Sequence, residues 1–186
     1  SHVDPVTFDA KAESLGVNKA KKNWNSVGDH APAYLINLYL ATGDDNYARF
    51  LEDTFDTICD HFPDYGYSPF MNEKFFDDWS HDLKWGIHQA RCVVGHNLKV
   101  AWNLTRMHSL MPKESYKTFA HQIADAIPGA GCDTQRGGWY DMMERTLKDG
   151  EENYRRVWHD RKAWWQQEQG ILAYYIMAGV YDDKPE

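Results

Sequence analysis

The chain has 186 residues, a formal charge of −8, and an unusual load of rings: 8 Trp, 11 Tyr and 8 Phe. That length favours one domain with a sizeable core. Lys and Arg are scattered rather than clustered, which argues against nucleic acid as a partner; no apolar run is long enough to span a bilayer and no signal peptide is visible at the start, which argues against a membrane protein.

Residues 1–24 carry little apolar periodicity and are expected to be an irregular segment. From Asn25 a helical pattern sets in. Asn25, Ser26 and Asp29 offer caps, Pro32 suits a first turn, and Leu35, Leu38, Tyr39 and Thr42 keep the period. Gly43-Asp44-Asp45 stops this helix, and Asp45 is expected to cap the next, in which Tyr47, Phe50, Leu51, Phe55 and Ile58 recur at helical spacing until Pro63. Residues 65–91 read as a long aromatic loop with room for a short β-hairpin, and long ordered loops in compact domains tend to be functional. A second helical hairpin follows, over 94–110 and 113–127, closed by Pro128-Gly129-Ala130-Gly131. Residues 137–150 resemble a short β-hairpin around Gly137-Gly138 and Asp149-Gly150. A last helix is expected over 160–179, with Trp164, Trp165, Ile171, Leu172, Tyr175 and Ile176 on a wide apolar face. The class is all-α, with short β-hairpins in the connections.

The chemistry concentrates at Cys92-Val93-Val94-Gly95-His96-Asn97-Leu98-Lys99. His96, Lys99 and Asn103 fall at i, i+3 and i+7 and share a helix face, with Gly95 expected to turn the backbone just before it. His30 is followed by Asn37-Leu38 at the spacing with which His96 is followed by Asn103-Leu104, so the chain reads as about two and a half copies of a helix-pair unit over 25–186. Such units bury their apolar faces by stacking on neighbours. A chain that stops inside a unit is either part of something longer or is completed by another copy, and its open apolar faces fit a homo-oligomer. Cys59, Cys92 and Cys132 form neither a zinc pattern nor a disulfide framework, which fits a reducing, cytoplasmic setting. His81 and His88 lack a compact spacing with carboxylates, so no metal site is expected there.

Gly95-His96-Asn97-Leu98-Lys99-Val100-Ala101-Trp102 resembles the Gly-His-x-x-Glu-x-x-Trp signature of the N-acylglucosamine 2-epimerase superfamily, which includes cellobiose 2-epimerases and mannose isomerases. Asn25-Ser26 with His30 and Asn37-Leu38-Tyr39 resembles its Asn-rich segment. Gly137-Gly138-Trp139-Tyr140 with Lys162-Ala163-Trp164-Trp165-Gln166-Gln167 resembles its Gly-Gly hairpin and Trp-Trp-x-Gln helix. The resemblance covers most of residues 23–180. It implies an (α/α)6 toroid of which this chain supplies about the middle half, and a small-molecule sugar as ligand. It also implies proton transfer at the carbon next to the sugar carbonyl, by histidine and without cofactor or metal. His96 would be a proton-transfer residue, with His30 a second pocket histidine that aids ring opening or positioning. Trp164 or Trp165 would be a stacking wall, and Lys99, Asn103 and Gln169 would sit on the substrate side.

Three departures bear on this. The family's glutamate is Lys99 here, and its later acidic position is Gln169. The partner histidine would lie beyond Glu186, so the 186 residues by themselves are expected to be inactive. Plainer readings stand beside each site: His30 as a helix cap, Lys99 paired to a nearby acid, and one of Trp164 and Trp165 in the core. Two other functions stay open. A sugar-cleaving toroid would need Asp or Glu on the inner helix faces. A non-catalytic carbohydrate-binding or interaction domain would tolerate Lys99 and Gln169.

Overall fold

Five α-helices dominate the computed structural model, which describes residues 2–25, 30–64, 66–84 and 90–181. They are α1 (His30–Thr42), α2 (Asp45–His61), α3 (Val94–Leu110), α4 (Glu114–Gly131) and α5 (Trp164–Tyr181). Four three-residue strands join them: β1 (Lys21–Asn23), β2 (Lys74–Phe76), β3 (Arg91–Val93) and β4 (Met142–Glu144).

The helices form two layers. In one, α3 packs between α1 and α5; in the other, α2 packs on α4, and each pair α1–α2 and α3–α4 is a helical hairpin. The pattern explains the layering. On α2 the buried residues are Leu51, Thr54, Phe55 and Ile58, a single stripe at i, i+3, i+4 and i+7. Helix α3, by contrast, has twelve of its seventeen residues buried, as a helix flanked on several sides must. The core there joins Leu98, Leu104 and Met107 of α3 with Phe55, Phe62, Phe70, Tyr116 and Ile123, all at or below 1% exposure.

Several local expectations change. Asp44, not Asp45, caps α2: its carboxylate accepts from the Asn46 amide at 2.8 Å, which places Asp45 in the first turn against the positive end of the helix dipole. Before it, Gly43 takes the left-handed conformation (φ 67°) and returns its N–H to the Tyr39 carbonyl at 2.8 Å, closing α1. Ser26 and Asp29, read as caps of α1, lie outside the described residues, as do His88 and the chain after Tyr181.

Helix α4 does not end before Pro128 but runs through it to Gly131. A proline inside a helix leaves the carbonyl four residues back without its N–H. Here that carbonyl belongs to Ala124, and the Tyr174 hydroxyl of α5 donates to it at 2.8 Å. The α4–α5 packing thus supplies the hydrogen bond that sequence-local reasoning counts as lost. Tyr174→Phe is expected to lower stability by about 1 kcal/mol, the usual cost of one hydrogen bond to a part-buried group; a urea melt that leaves the midpoint unmoved would refute the assignment.

The sheets differ from the expected hairpins because they tie segments far apart in sequence. β1, inside the stretch read as irregular, pairs antiparallel with β2, Lys22 opposite Phe75. β3 pairs with β4, Cys92 opposite Met143. The Gly137-Gly138 pair (φ 74° and 81°) ends a tight turn over 133–138 in which the Asp133 carboxylate accepts from the Gln135 and Arg136 amides, and Cys132 bridges Trp139 across it. The Asp149-Gly150 turn is real, with the Glu151 amide on the Lys148 carbonyl at 3.0 Å. Its arms are β4 and residues 155–157, not 137–150. The last helix begins at Trp164 rather than near 160.

Candidate active site around His96

β3 delivers the chain directly into α3, with Val93 as the extended residue before the first turn. Gly95 is therefore inside the helix, not in a turn ahead of it. Its lack of a side chain serves a close approach: a Cβ there would lie 2.6 Å from Gln166 Cγ and 2.7 Å from Trp165 Cζ3. The Gly95 N–H, one of the amides that a helix start leaves without an internal partner, donates to Gln166 Oε1 at 2.5 Å. Gln166, wholly buried, in turn donates through Nε2 to the Asp141 carbonyl at 3.0 Å and to its carboxylate. The start of α5 is thus locked onto the start of α3.

This junction sets His96. The residue is 8% exposed, its ring centroid is 5.8 Å from that of Trp165, and its Nδ1 donates to both carboxylate oxygens of Glu73, at 3.0 and 3.1 Å. The carboxylate fixes Nδ1 as the ring nitrogen that carries the held proton. Glu73 is the partner of His96 that sequence reading missed. It lies 23 residues before His96, immediately ahead of β2, where no helical or strand period marks it. The signal available is indirect: a histidine motif with Lys99 in place of its acid leaves a carboxylate to be found elsewhere.

Glu73 is itself positioned. Its carbonyl accepts from the Trp24 amide at 2.8 Å. Just before it, the Met71 amide donates to Asn97 Oδ1 at 2.9 Å, and Asn97 Nδ2 donates to the Val93 carbonyl, so the segment bearing Glu73 is pinned to the helix bearing His96. From below, Arg145, 3% exposed, donates to the carbonyls of Phe70 (2.9 Å) and Met71 and to the Asp64 carboxylate (2.5 Å). A small polar cavity lined by Asn25, Asn72, Glu73, Lys74 and Arg91 borders Glu73. Burial pushes the Lys74 ammonium below its ordinary value, opposed by the neighbouring Glu73 charge.

The remaining predicted residues distribute as follows. Trp165 stands against His96. Trp164, 78% exposed, faces away, on an apolar groove shared with Ile171, Leu172 and Tyr175. Asn103 is wholly buried within α3. Gln169 accepts from Trp102 Nε1 at 2.8 Å, a bond that ties α5 to α3. Lys99, half-buried, forms no ion pair among the described residues. His30 is exposed at the first residue of α1. His81 lies beside Asp64 at 3.5 Å and Asn72 Nδ2 at 2.9 Å. Among the described residues, no group of three or more His, Cys, Asp or Glu is placed to hold a metal ion, and no helix is long and apolar enough to cross a membrane. Burial raises the Cys59 thiol to about 12 and drives Cys92 higher still, which leaves both as packing residues rather than nucleophiles.

No family model and no curated protein matches the sequence. Solved structures do match the fold. The cellobiose 2-epimerase from Spirochaeta thermophila DSM 6192 aligns with 88% of this chain and 40% of its own, at 14% identity and a TM-score of 0.65. A D-mannose isomerase aligns with 86% of this chain and 38% of its own, at 21% identity and 0.64. The cellobiose 2-epimerase from Bacillus thermoamylovorans B4167 aligns with 89% and 41%, at 11% identity and 0.68. The chain therefore spans about 40% of the length of the structures it resembles, and shares the fold of that part. Likeness in fold and resemblance in sequence point to the same group of proteins.

Proposed function

We propose that the chain is part of a sugar 2-epimerase or aldose–ketose isomerase built as an (α/α)6 toroid. In this reading α1, α3 and α5 face the central cavity and α2 and α4 lie outside. His96 moves a proton at the carbon next to the carbonyl of an open-chain sugar, and Glu73 holds its ring. The observation that carries the reading is the buried His96–Glu73 pair against Trp165. Abstraction α to a carbonyl needs a base that titrates near neutrality, held in a fixed tautomer beside a surface that can pack on the substrate. Trp165 supplies that surface, and His30 on α1 is a further histidine of the same layer, as is His108 on α3. The layer also speaks against a sugar-cleaving toroid: the described helices α1, α3 and α5 carry one carboxylate between them, Glu168, where glycoside hydrolysis calls for a pair.

The test is exchange. The complete gene product is incubated with mannose, glucose or cellobiose in D2O, and the sugar H2 signal is followed by proton NMR. Proton transfer predicts loss of H2 with deuterium in its place, with or without net epimer. A non-catalytic sugar-binding domain, the reading that Gln169 and its bond to Trp102 favour, predicts binding with H2 retained. Retention of H2 in every sugar that binds would end the enzymatic reading.

A further inference from the structure

The charges of this chain are sorted by layer. Its net charge is −8, and α2 alone carries Asp45, Glu52, Asp53, Asp56 and Asp60 against Arg49. The α1–α3–α5 layer is the reverse. α1 has no charged side chain apart from His30, α5 has only Glu168, which is exposed, and α3 contributes Lys99 and Arg106 with no acid at all.

Both cations belong to the stripe that begins at His96. Lys99 is one turn on, a rise of about 4.5 Å, and Arg106 is about 15 Å on, with side chains leaning back toward the helix start. Arg106 is half-buried. Its Nη2 donates to Asn37 Oδ1 at 2.8 Å, its guanidinium lies 5.7 Å from the Trp102 ring centre, and burial alone pulls its pKa down, with no carboxylate opposing it. Lys99 likewise forms no ion pair among the described residues. The carboxylate in the site, Glu73, is engaged by His96. Half-buried cations without a counter-charge among the described residues are costly to hold, and a cavity wall of one sign concentrates ligands of the other.

We propose that the sugar taken by this site carries an anionic group, a phosphate or a carboxylate, held by Lys99 with Arg106 behind it. This rests on the sugar reading above. The carbonyl end lies at His96 and Trp165, and the charged end lies further along α3. Lys99 sets the choice between charged and neutral sugars.

The test is calorimetric titration of the complete gene product with glucose 6-phosphate, glucuronate, glucose and inorganic phosphate, at low and high salt. The expected result is that one of the two charged sugars binds at least about tenfold more tightly than glucose, a preference that shrinks as salt rises. The phosphate and carboxylate arms identify which anion is used. Lys99→Gln is expected to erase the preference of charged over neutral sugar, and Lys99→Glu to invert it. Should either variant lose its thermal transition, Arg106→Gln is the second probe, expected to shrink the same preference. Glucose binding as tightly as both charged sugars would overturn the charge inference and leave the sugar reading intact. Inorganic phosphate binding as tightly as glucose 6-phosphate would also overturn it, as a site for a bare anion. Binding of none of the four would overturn the charge inference and leave the sugar reading to the exchange test with mannose and cellobiose, and a preference that survives in all three variants would remove the role of Lys99 and Arg106.

Discussion

His96→Ala is expected to abolish exchange of the sugar C2 hydrogen, by roughly 10²- to 10⁴-fold, with sugar binding reduced far less. A positioned acid–base group contributes about that much to proton transfer, whereas its contribution to ground-state binding is a single contact. Truncation of a buried ring creates a small space beside Trp165, so the fold must be checked by melting before the rate is interpreted. Glu73→Gln separates chemistry from packing. Glutamine keeps the shape and can still accept at Oε1, but it lacks the charge that supports the imidazolium formed when His96 takes a proton. Exchange is expected to fall by about tenfold or more, with binding unchanged and with the loss concentrated in the rate constant rather than in the apparent affinity. Equal exchange in wild type and His96→Ala would show that another group carries the proton, and the proposed mechanism would fail at its centre. Equal exchange in wild type and Glu73→Gln, with His96→Ala dead, would leave His96 in place and reduce Glu73 to packing.

The contrast between His96 and Glu73 shows what the sequence can and cannot carry. The helices are legible because their cause is local: apolar residues at helical spacing, Asp and Gly at the ends, and a period that survives along α2, α3 and α4. His96 is legible for the same reason, since a motif of neighbouring residues surrounds it. Glu73 reaches His96 only through a chain of long-range bonds, from Asn97 to the Met71 amide and from Glu73 to Trp24, and no window of sequence contains them. Pro128 makes the same point in reverse. Read locally it ends a helix, and it fails to do so because Tyr174, on a helix 50 residues away, replaces the missing donor. Gly95 reads as special for conformational freedom, yet what requires it is the side chains of Trp165 and Gln166 arriving from α5. The strands are the least legible elements, because three-residue strands have almost no period and are defined by their partners.

Arg145→Ala is expected to be the most destabilising single change, by about 3–5 kcal/mol, the range for removing one partner of a buried ion pair. The side chain is 4% exposed and spans three acceptors: the Asp64 carboxylate after α2, and the Phe70 and Met71 carbonyls. Truncation leaves Asp64 with only His81 facing its charge among the described residues, strands two carbonyls in the interior, and removes the volume that supports them. Folded domains hold only about 5–15 kcal/mol in reserve, so the loss should lower the urea midpoint sharply. Arg145→Lys should recover only part of the loss, because a single ammonium cannot reproduce the planar fork that reaches carboxylate and carbonyls together. The alanine change should also reach the chemistry. Met71 is two residues from Glu73, and a segment released from Arg145 no longer holds that carboxylate against His96. Exchange by whatever fraction of the variant remains folded should therefore resemble Glu73→Gln more than wild type. A variant that melts like wild type would mean that Asp64, Phe70 and Met71 are satisfied without the guanidinium; one that melts early yet exchanges normally per folded molecule would mean that Glu73 is held by Asn97 and Trp24 alone.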